Sequence, residues 1–344
     1  MAATDIAPPP AWKQGLRILI GLVGGCGAVW LALKAAGGPS AVWRALEHSD
    51  VRWLLAAVLA QSLALLLSGV RLRRLAGAAS SLSLAAATAL EVVMNGLGSL
   101  APAAPAEGVA YGVRQLRRRG LDRAHAGLVL AFEQWFTYRA ALNLLVIIAQ
   151  RDFPVASLWP VLGASIVLMA LVGTAVLATK PSNMDHLMDA WTRIRFWAPR
   201  PPPEERRRSA LALHQMAMSM VGHRRDRFGF FLLSLAGHLS GVATLMLSMR
   251  AVGVVADLDI ILLASESAVL ATSIPLLPGG LGVVEAVVPA VLHWYGAQWD
   301  HAFAGALVAR VIGTVFPAIG GAMALWLLQL ADRHRSANVT PALG

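Results

Sequence analysis

Most of this chain is written in long apolar runs, with its charges gathered into short clusters between them. Runs at residues 18–33, 53–67, 142–148 and 161–177 sit in windows nearly free of charge. Such windows, about 20 residues long, match the roughly 30 Å of hydrocarbon that a transmembrane helix must cross. Of the 344 residues, 57% are hydrophobic and 14% charged, whereas a globular domain carries about 25% charged residues. A water-soluble fold has no place to hide that much apolar surface, so the chain reads as an all-α, polytopic membrane bundle.

The formal net charge of +10 raises nucleic acid as a partner. The arginines, however, fall in short clusters between apolar runs and cover no single face, which is the pattern of positive-inside anchoring. Nucleic acid is therefore excluded as a partner. Cys26 is the one cysteine, so neither an intrachain disulfide nor a cysteine-based metal site is expected. Residues 1–14 carry Pro8, Pro9 and Pro10 and no basic group before Lys13. They read as a cytoplasmic tail ahead of an uncleaved first helix.

Residues 15–330 read as one transmembrane domain. Helix one covers residues 15–35 and ends at Gly37 and Gly38; a short amphipathic piece at 42–46 follows. Helix two covers 52–70 and stops at Arg71, Arg73 and Arg74, a cluster that belongs on the cytoplasmic side. The apolar stretch 82–100 breaks at Pro102 and Pro105 and leads to Arg114, Arg117, Arg118 and Arg119. With basic groups at both ends it reads as a re-entrant hairpin; a full helix with one violated loop is the alternative. Helix three (124–148) and helix four (158–178) lead to a cytoplasmic loop at 180–227, with an interfacial helix at 210–221. Helix five spans 228–249. A second broken stretch, 260–274 and 283–295, reads as a hairpin entering from the opposite side, although two complete helices give the same parity. Helix six (302–330) returns the tail, 331–344, to the cytoplasm.

The reading is thus about six full transmembrane helices plus two re-entrant hairpins in an inverted repeat, with both termini cytoplasmic. Broken helices in matching positions of inverted halves point to a central substrate site. Ionisable groups inside apolar segments are costly and mark candidates. In the first half Thr88, Glu91, Asn95 and Ser99 form one polar stripe leading to Pro102 and Glu107, and Glu133, Arg139 and Asn143 lie within helix three. In the second half Glu266 is mid-segment, Glu285 follows the break at Pro278, Gly279, Gly280 and Gly282, and Arg310 precedes Pro317. Charge bookkeeping pairs Arg139 and Arg310 with some of these acids, so internal ion pairing and a transport role stand side by side. The glycine-rich break lacks the ending of a phosphate-binding loop. Its glycines permit a tight turn, and the following helix offers its N-H groups to a lipid phosphate. His238 reads as a core histidine. No metal cluster, catalytic set or cofactor fingerprint is found, so neither an enzyme nor a cofactor is expected.

The segment from Ser273 through Pro278-Gly279-Gly280-Leu281-Gly282 to Glu285, the segment from Asn95 to Pro102 with Glu107, and Arg310 before Pro317 resemble the lysylphosphatidylglycerol synthase transmembrane region. This flippase-like family is resembled over residues 15–330. Its pattern has Arg where this chain has Ala110, and an acid-Arg pair where this chain has Glu133 and Gln134, which leaves Arg114 and Arg139 as candidate substitutes. The family's two-domain members add a soluble aminoacyltransferase, for which the chain has no room. The resemblance implies movement of an anionic, glycosylated or polycyclic lipid between the leaflets of a bacterial inner membrane. Similar stand-alone members are associated with glycolipid or hopanoid pathways. The alternative is a non-catalytic accessory subunit partnering a lipid-biosynthesis enzyme.

Overall fold

A computed structural model of the chain describes residues 30–149 and 203–326, except 32, 35–36, 78–79, 101–103, 222, 273–281, 283, 318, 322 and 324–325. Helix four, most of helix one and both terminal tails lie outside the described residues, as do Pro102, Pro278, Gly279 and Gly280.

Every regular element among the described residues is helical. In chain order these are α1 (Pro39–Glu47), α2 (Val51–Ala76), α3 (Leu84–Leu100), α4 (Ala104–Arg118), α5 (Arg123–Ala149), α6 (Pro203–Val221), α7 (Arg224–Ala251), α8 (Leu258–Thr272), α9 (Val284–Trp294) and α10 (Trp299–Arg310). The last runs on into a π-helical turn, Val311–Val315. A long helix, two short ones and a long one follow each other twice, α2 to α5 and α7 to α10, the last being long when followed through its π turn as Trp299–Gly321. The long helices α2 and α7 have 26 and 28 residues, about 40 Å of helix at roughly 1.5 Å per residue. The arms α3, α4, α8 and α9 have 17, 15, 15 and 11 residues. At about 16 to 25 Å they fall short of a roughly 30 Å core.

Among the described residues, three helices are long and apolar enough to cross a membrane: Val51–Ala76, Arg224–Ala251 and Trp299–Gly321. Their surfaces carry the membrane signature. Along α2, Leu55, Leu59, Leu63 and Leu66 recur one turn apart and are all exposed, Leu59 by 71%. On the last helix Val311, Phe316 and Ile319 are exposed as well. Ridges of this size facing water oppose folding; facing lipid they cost nothing.

The chain divides into two compact units. One holds residues 1–63, 89–111 and 240–344, the other 64–88 and 112–239. The core of the first gathers Val242, Leu245 and Met249 of α7, Ile261 and Ala264 of α8, Leu292 of α9, and Ala302 to Ala306 of α10. Small residues on α10 permit close approach: a Cβ on Gly305 would lie 2.4 Å from Met249 Sδ. The core of the second is aromatic and leucine-rich, with Leu72, Leu75, Phe132, Phe136 and Phe230 buried and the Phe136 and Phe230 rings 5.5 Å apart.

Two expectations change. Helix two does not stop at its basic cluster but continues through it to Ala76, because Arg71 has an internal partner and Leu72, Leu75 and Ala76 are buried. The loop helix starts at Pro203, where proline suits the first turn, and it packs against α5 with His214 and Ala217 buried on one stripe. That stripe faces protein.

Candidate functional site

The second broken stretch builds its site at two helix irregularities. Glu285 stands in the first turn of α9, where a carboxylate meets the positive end of the helix. Its Oε2 accepts the Gly282 N-H at 2.8 Å. Gly282 has φ +84°, a left-handed conformation that glycine takes without steric penalty, so the turn aims its amide back at the carboxylate. Glu285 Oε1 lies 3.3 Å from Arg310 Nε, with the two side chains 3% and 15% exposed. Of the acids that charge bookkeeping offered to Arg310, the one it meets is Glu285.

Arg310 closes α10 at the point where the helix widens. Phe316 N-H reaches back to the Val311 carbonyl, five residues away. The cause is Pro317, which has no amide hydrogen for the carbonyl at 313 and whose ring crowds it. Such π turns recur at functional sites. Here the turn places Arg310 beside a discontinuity in the last helix while its guanidinium meets the start of α9.

Two further buried acids belong to the same unit. Glu266 of α8 is 1% exposed and Glu91 of α3 is 3% exposed, and both have polar partners. Asn95 donates its side-chain N-H to the Glu91 carbonyl at 2.9 Å, so the predicted stripe is knitted along its own helix. A Cβ on Gly321 would lie 3.0 Å from the Val92 side chain. The last helix therefore touches the first-half arm one residue from Glu91.

A second polar set occupies the other unit. Arg71 is 3% exposed and donates from Nη2 to Glu133 Oε1 and to Thr137 Oγ1 at 2.9 Å, and from Nη1 to Ser234 Oγ at 2.9 Å. Glu133 Oε2 accepts from Gln134 Nε2 at 2.9 Å. Glu133, too far around its helix from Arg139 to pair with it, was expected to find a partner elsewhere; that partner is Arg71, which the sequence had placed in a cytoplasmic cluster. The cation beside Glu133 is thus Arg71. Arg73 and Arg74 are exposed, as a basic cluster should be. The side chains of Glu107, Arg139 and Asn143 lie outside the described residues. His238 is half-buried and has a polar partner.

No group of three or more metal-binding side chains occurs among the described residues. The arrangement offers a partly open guanidinium and a capped carboxylate at two helix irregularities, with the buried acids Glu91 and Glu266 midway along their helices in the same unit. Such groups are able to hold a charged or hydrogen-bonding partner.

Residues 18–321 match the model of a family described as the lysylphosphatidylglycerol synthase transmembrane region. A search among curated proteins finds no match.

Proposed function

The chain belongs to the lysylphosphatidylglycerol synthase transmembrane-region family, and from that premise we propose that this multi-pass helical membrane protein moves a lipid between leaflets. The family ties it to lipid handling; translocation, the bacterial inner membrane and cytoplasmic termini are our reading. The Glu285–Arg310 pair carries it. In hydrocarbon an ionic pair is costly, and this one sits where one helix begins and another widens, with the arginine partly open. An anionic headgroup competes with Glu285 for that guanidinium, and exchange of partners is how a charged lipid crosses the midplane without an unpaired charge.

The short arms α3 with α4 and α8 with α9 are read as re-entrant hairpins of an inverted repeat, the arrangement that lines a midplane site in alternating-access transporters. The reading assigns no chemical step to the protein and no cofactor. Anionic, glycosylated and polycyclic lipids, hopanoids included, are the candidate cargo.

The test is reconstitution into liposomes with fluorescent anionic, zwitterionic and glycosylated lipids, scoring outer-leaflet quenching for wild type, Arg310→Ala and Glu285→Ala. Faster movement of one lipid class, lost in both variants while their melting temperatures hold, supports the proposal. Equal rates with wild-type and empty vesicles for every class tested would overturn it, and would favour an accessory subunit beside a lipid-biosynthesis enzyme.

A further inference from the structure

Helices α7 and α9 end alike, and their ends lie side by side. At the end of α7, Gly253 N-H bonds the Arg250 carbonyl at 3.1 Å and Val254 N-H the Met249 carbonyl at 2.9 Å. At the end of α9, Gly296 N-H bonds the His293 carbonyl at 2.9 Å and Ala297 N-H the Leu292 carbonyl at 3.0 Å. Both are Schellman closures with glycine in the left-handed position, φ +83° and +95°. Two turns locked in this way hold their side chains in place, and between them lies a cleft of about 610 Å³, within the roughly 300–1,000 Å³ usual for small-molecule sites.

The lining selects a chemistry. Its floor is apolar, with Leu292 and Val254 buried and Ile260 beside them. Its rim is polar, with Asp257, Tyr295, Gln298 and His301. No Lys or Arg lines it, so nothing there neutralises a phosphate. The rim mixes acceptors and donors: the Asp257 carboxylate only accepts and the Gln298 amide does both. His301 is fixed through Nδ1 to Asp300 Oδ1 at 3.1 Å. Burial, with Asp259 beside it, pushes the Tyr295 phenol up, so it stays a protonated donor at neutral pH. A cation would need acceptors alone. Hydroxyl groups both give and take, and an apolar floor under a polar rim matches a ring with a C-H face and a hydroxyl edge.

We propose that this cleft binds a neutral polyhydroxyl ring, a sugar or a sugar-like lipid headgroup. The lipid source rests on the transport reading; binding of the ring does not. The experiment uses the full chain in phosphatidylcholine nanodiscs, because glycoside detergents would themselves occupy the site. Saturation-transfer NMR is recorded with methyl β-glucoside as the probe, on wild type and on Asp257→Ala and Gln298→Ala, both exposed positions whose truncation spares the core. The expected result is transfer to the sugar protons above that of empty nanodiscs, with affinity at least ten-fold weaker in each variant. Displacement of the probe by a glucosyl lipid in the disc would identify the source as lipid; its absence would identify a soluble sugar, and the site stands in either case. No transfer above empty discs, equal affinity in the variants, or displacement by choline at equal concentration would overturn the proposal. A chain that binds the probe but moves no lipid would sink the transport reading alone, and one that moves lipid yet ignores the probe would sink this one alone.

Discussion

Replacing Arg71 by Met, which keeps the length and apolar stem of the side chain, removes the guanidinium from a site 4% exposed on both sides of its ion pair. The change deletes the bonds to Glu133, Thr137 and Ser234 together. It leaves the Glu133 carboxylate buried with Gln134 as its remaining side-chain partner among those described. Breaking one side of a buried pair costs about 3–5 kcal/mol, whereas replacing both sides by apolar groups is often neutral. Glu133→Leu should cost a similar amount by stranding Arg71. The double variant Arg71→Met, Glu133→Leu should lie within about 1 kcal/mol of wild type, apart from the two hydroxyls left to bond within their own helices. The coupling energy of the cycle should therefore exceed about 4 kcal/mol in magnitude. Equilibrium unfolding of the purified protein in mixed micelles, read by circular dichroism against detergent composition, measures all four corners. Single-variant costs that simply add in the double variant would refute the claim that burial, and not the individual hydrogen bonds, sets the energy of this site.

Gly69→Ala should be among the most damaging small changes, because the new Cβ would lie 2.3 Å from Thr88 Oγ1 and 2.8 and 2.9 Å from Thr88 Cα and N. An overpacking cost of about 1–3 kcal/mol is expected, and Thr88→Ala should fail to rescue it since backbone also blocks the way; thermal melts of the single and double variants check both points. Pro317→Ala returns the missing amide donor and should convert the π turn to α-helix, with stability equal or higher but lipid movement at least ten-fold slower in the liposome assay. Asp122 caps α5, its Oδ1 accepting Ala124 N-H at 2.8 Å and His125 N-H at 3.0 Å. The His125 amide bond is the leading cause holding its carboxyl below the ordinary 3.8. Its folded value is the lower one, so the cap's contribution is present above about pH 4 and fades as pH falls through the folded value. Asp122→Ala should lose about 1 kcal/mol at neutral pH and nothing further in acid, as melts at pH 7 and pH 3 would reveal.

The membrane class and the alternation of long and short helices were legible in the sequence because hydrocarbon thickness dictates run length, and run length is printed in the residues. That Arg310 takes an internal acid was legible for a related reason, since it is a lone charge in apolar surroundings; that the acid is Glu285 was not, because several glutamates stood open to it. Arg71 was not, because it sits in a cluster with Arg73 and Arg74, and clusters at helix ends read as anchors. Helical phase held the available signal. Arg71 shares its face with Leu75, four residues on, and Leu75 is buried, whereas Arg73 and Arg74 point elsewhere and are exposed. The π turn was half legible: Pro317 announced a disturbed ladder but not whether it would kink or widen, which depends on packing against neighbours. The cleft between the α7 and α9 ends escaped entirely, since it joins two turns about forty residues apart whose glycines look like ordinary helix stops.

The two buried arginine–glutamate pairs among the described residues invite the same explanation, yet their surroundings separate them. Arg71 is sealed, and its guanidinium is divided among three side chains drawn from two helices, Glu133 and Thr137 from α5 and Ser234 from α7. Exchanging any of them for a passing ligand would require opening a packed core that includes Leu72, Leu75, Phe132 and Phe136. Such a set fixes how three helices meet. Arg310 is partly open, stands at a turn where the helix has given up its regular ladder, and faces a glutamate already steadied by the Gly282 amide and the start of α9. Glu285 can therefore release the guanidinium without becoming an orphan, since its other oxygen and the helix terminus continue to stabilise its charge. A buried carboxylate that keeps a partner when its cation is borrowed is what the proposed exchange requires, and among the described residues only Glu285 of these two glutamates has a backbone N-H to supply it.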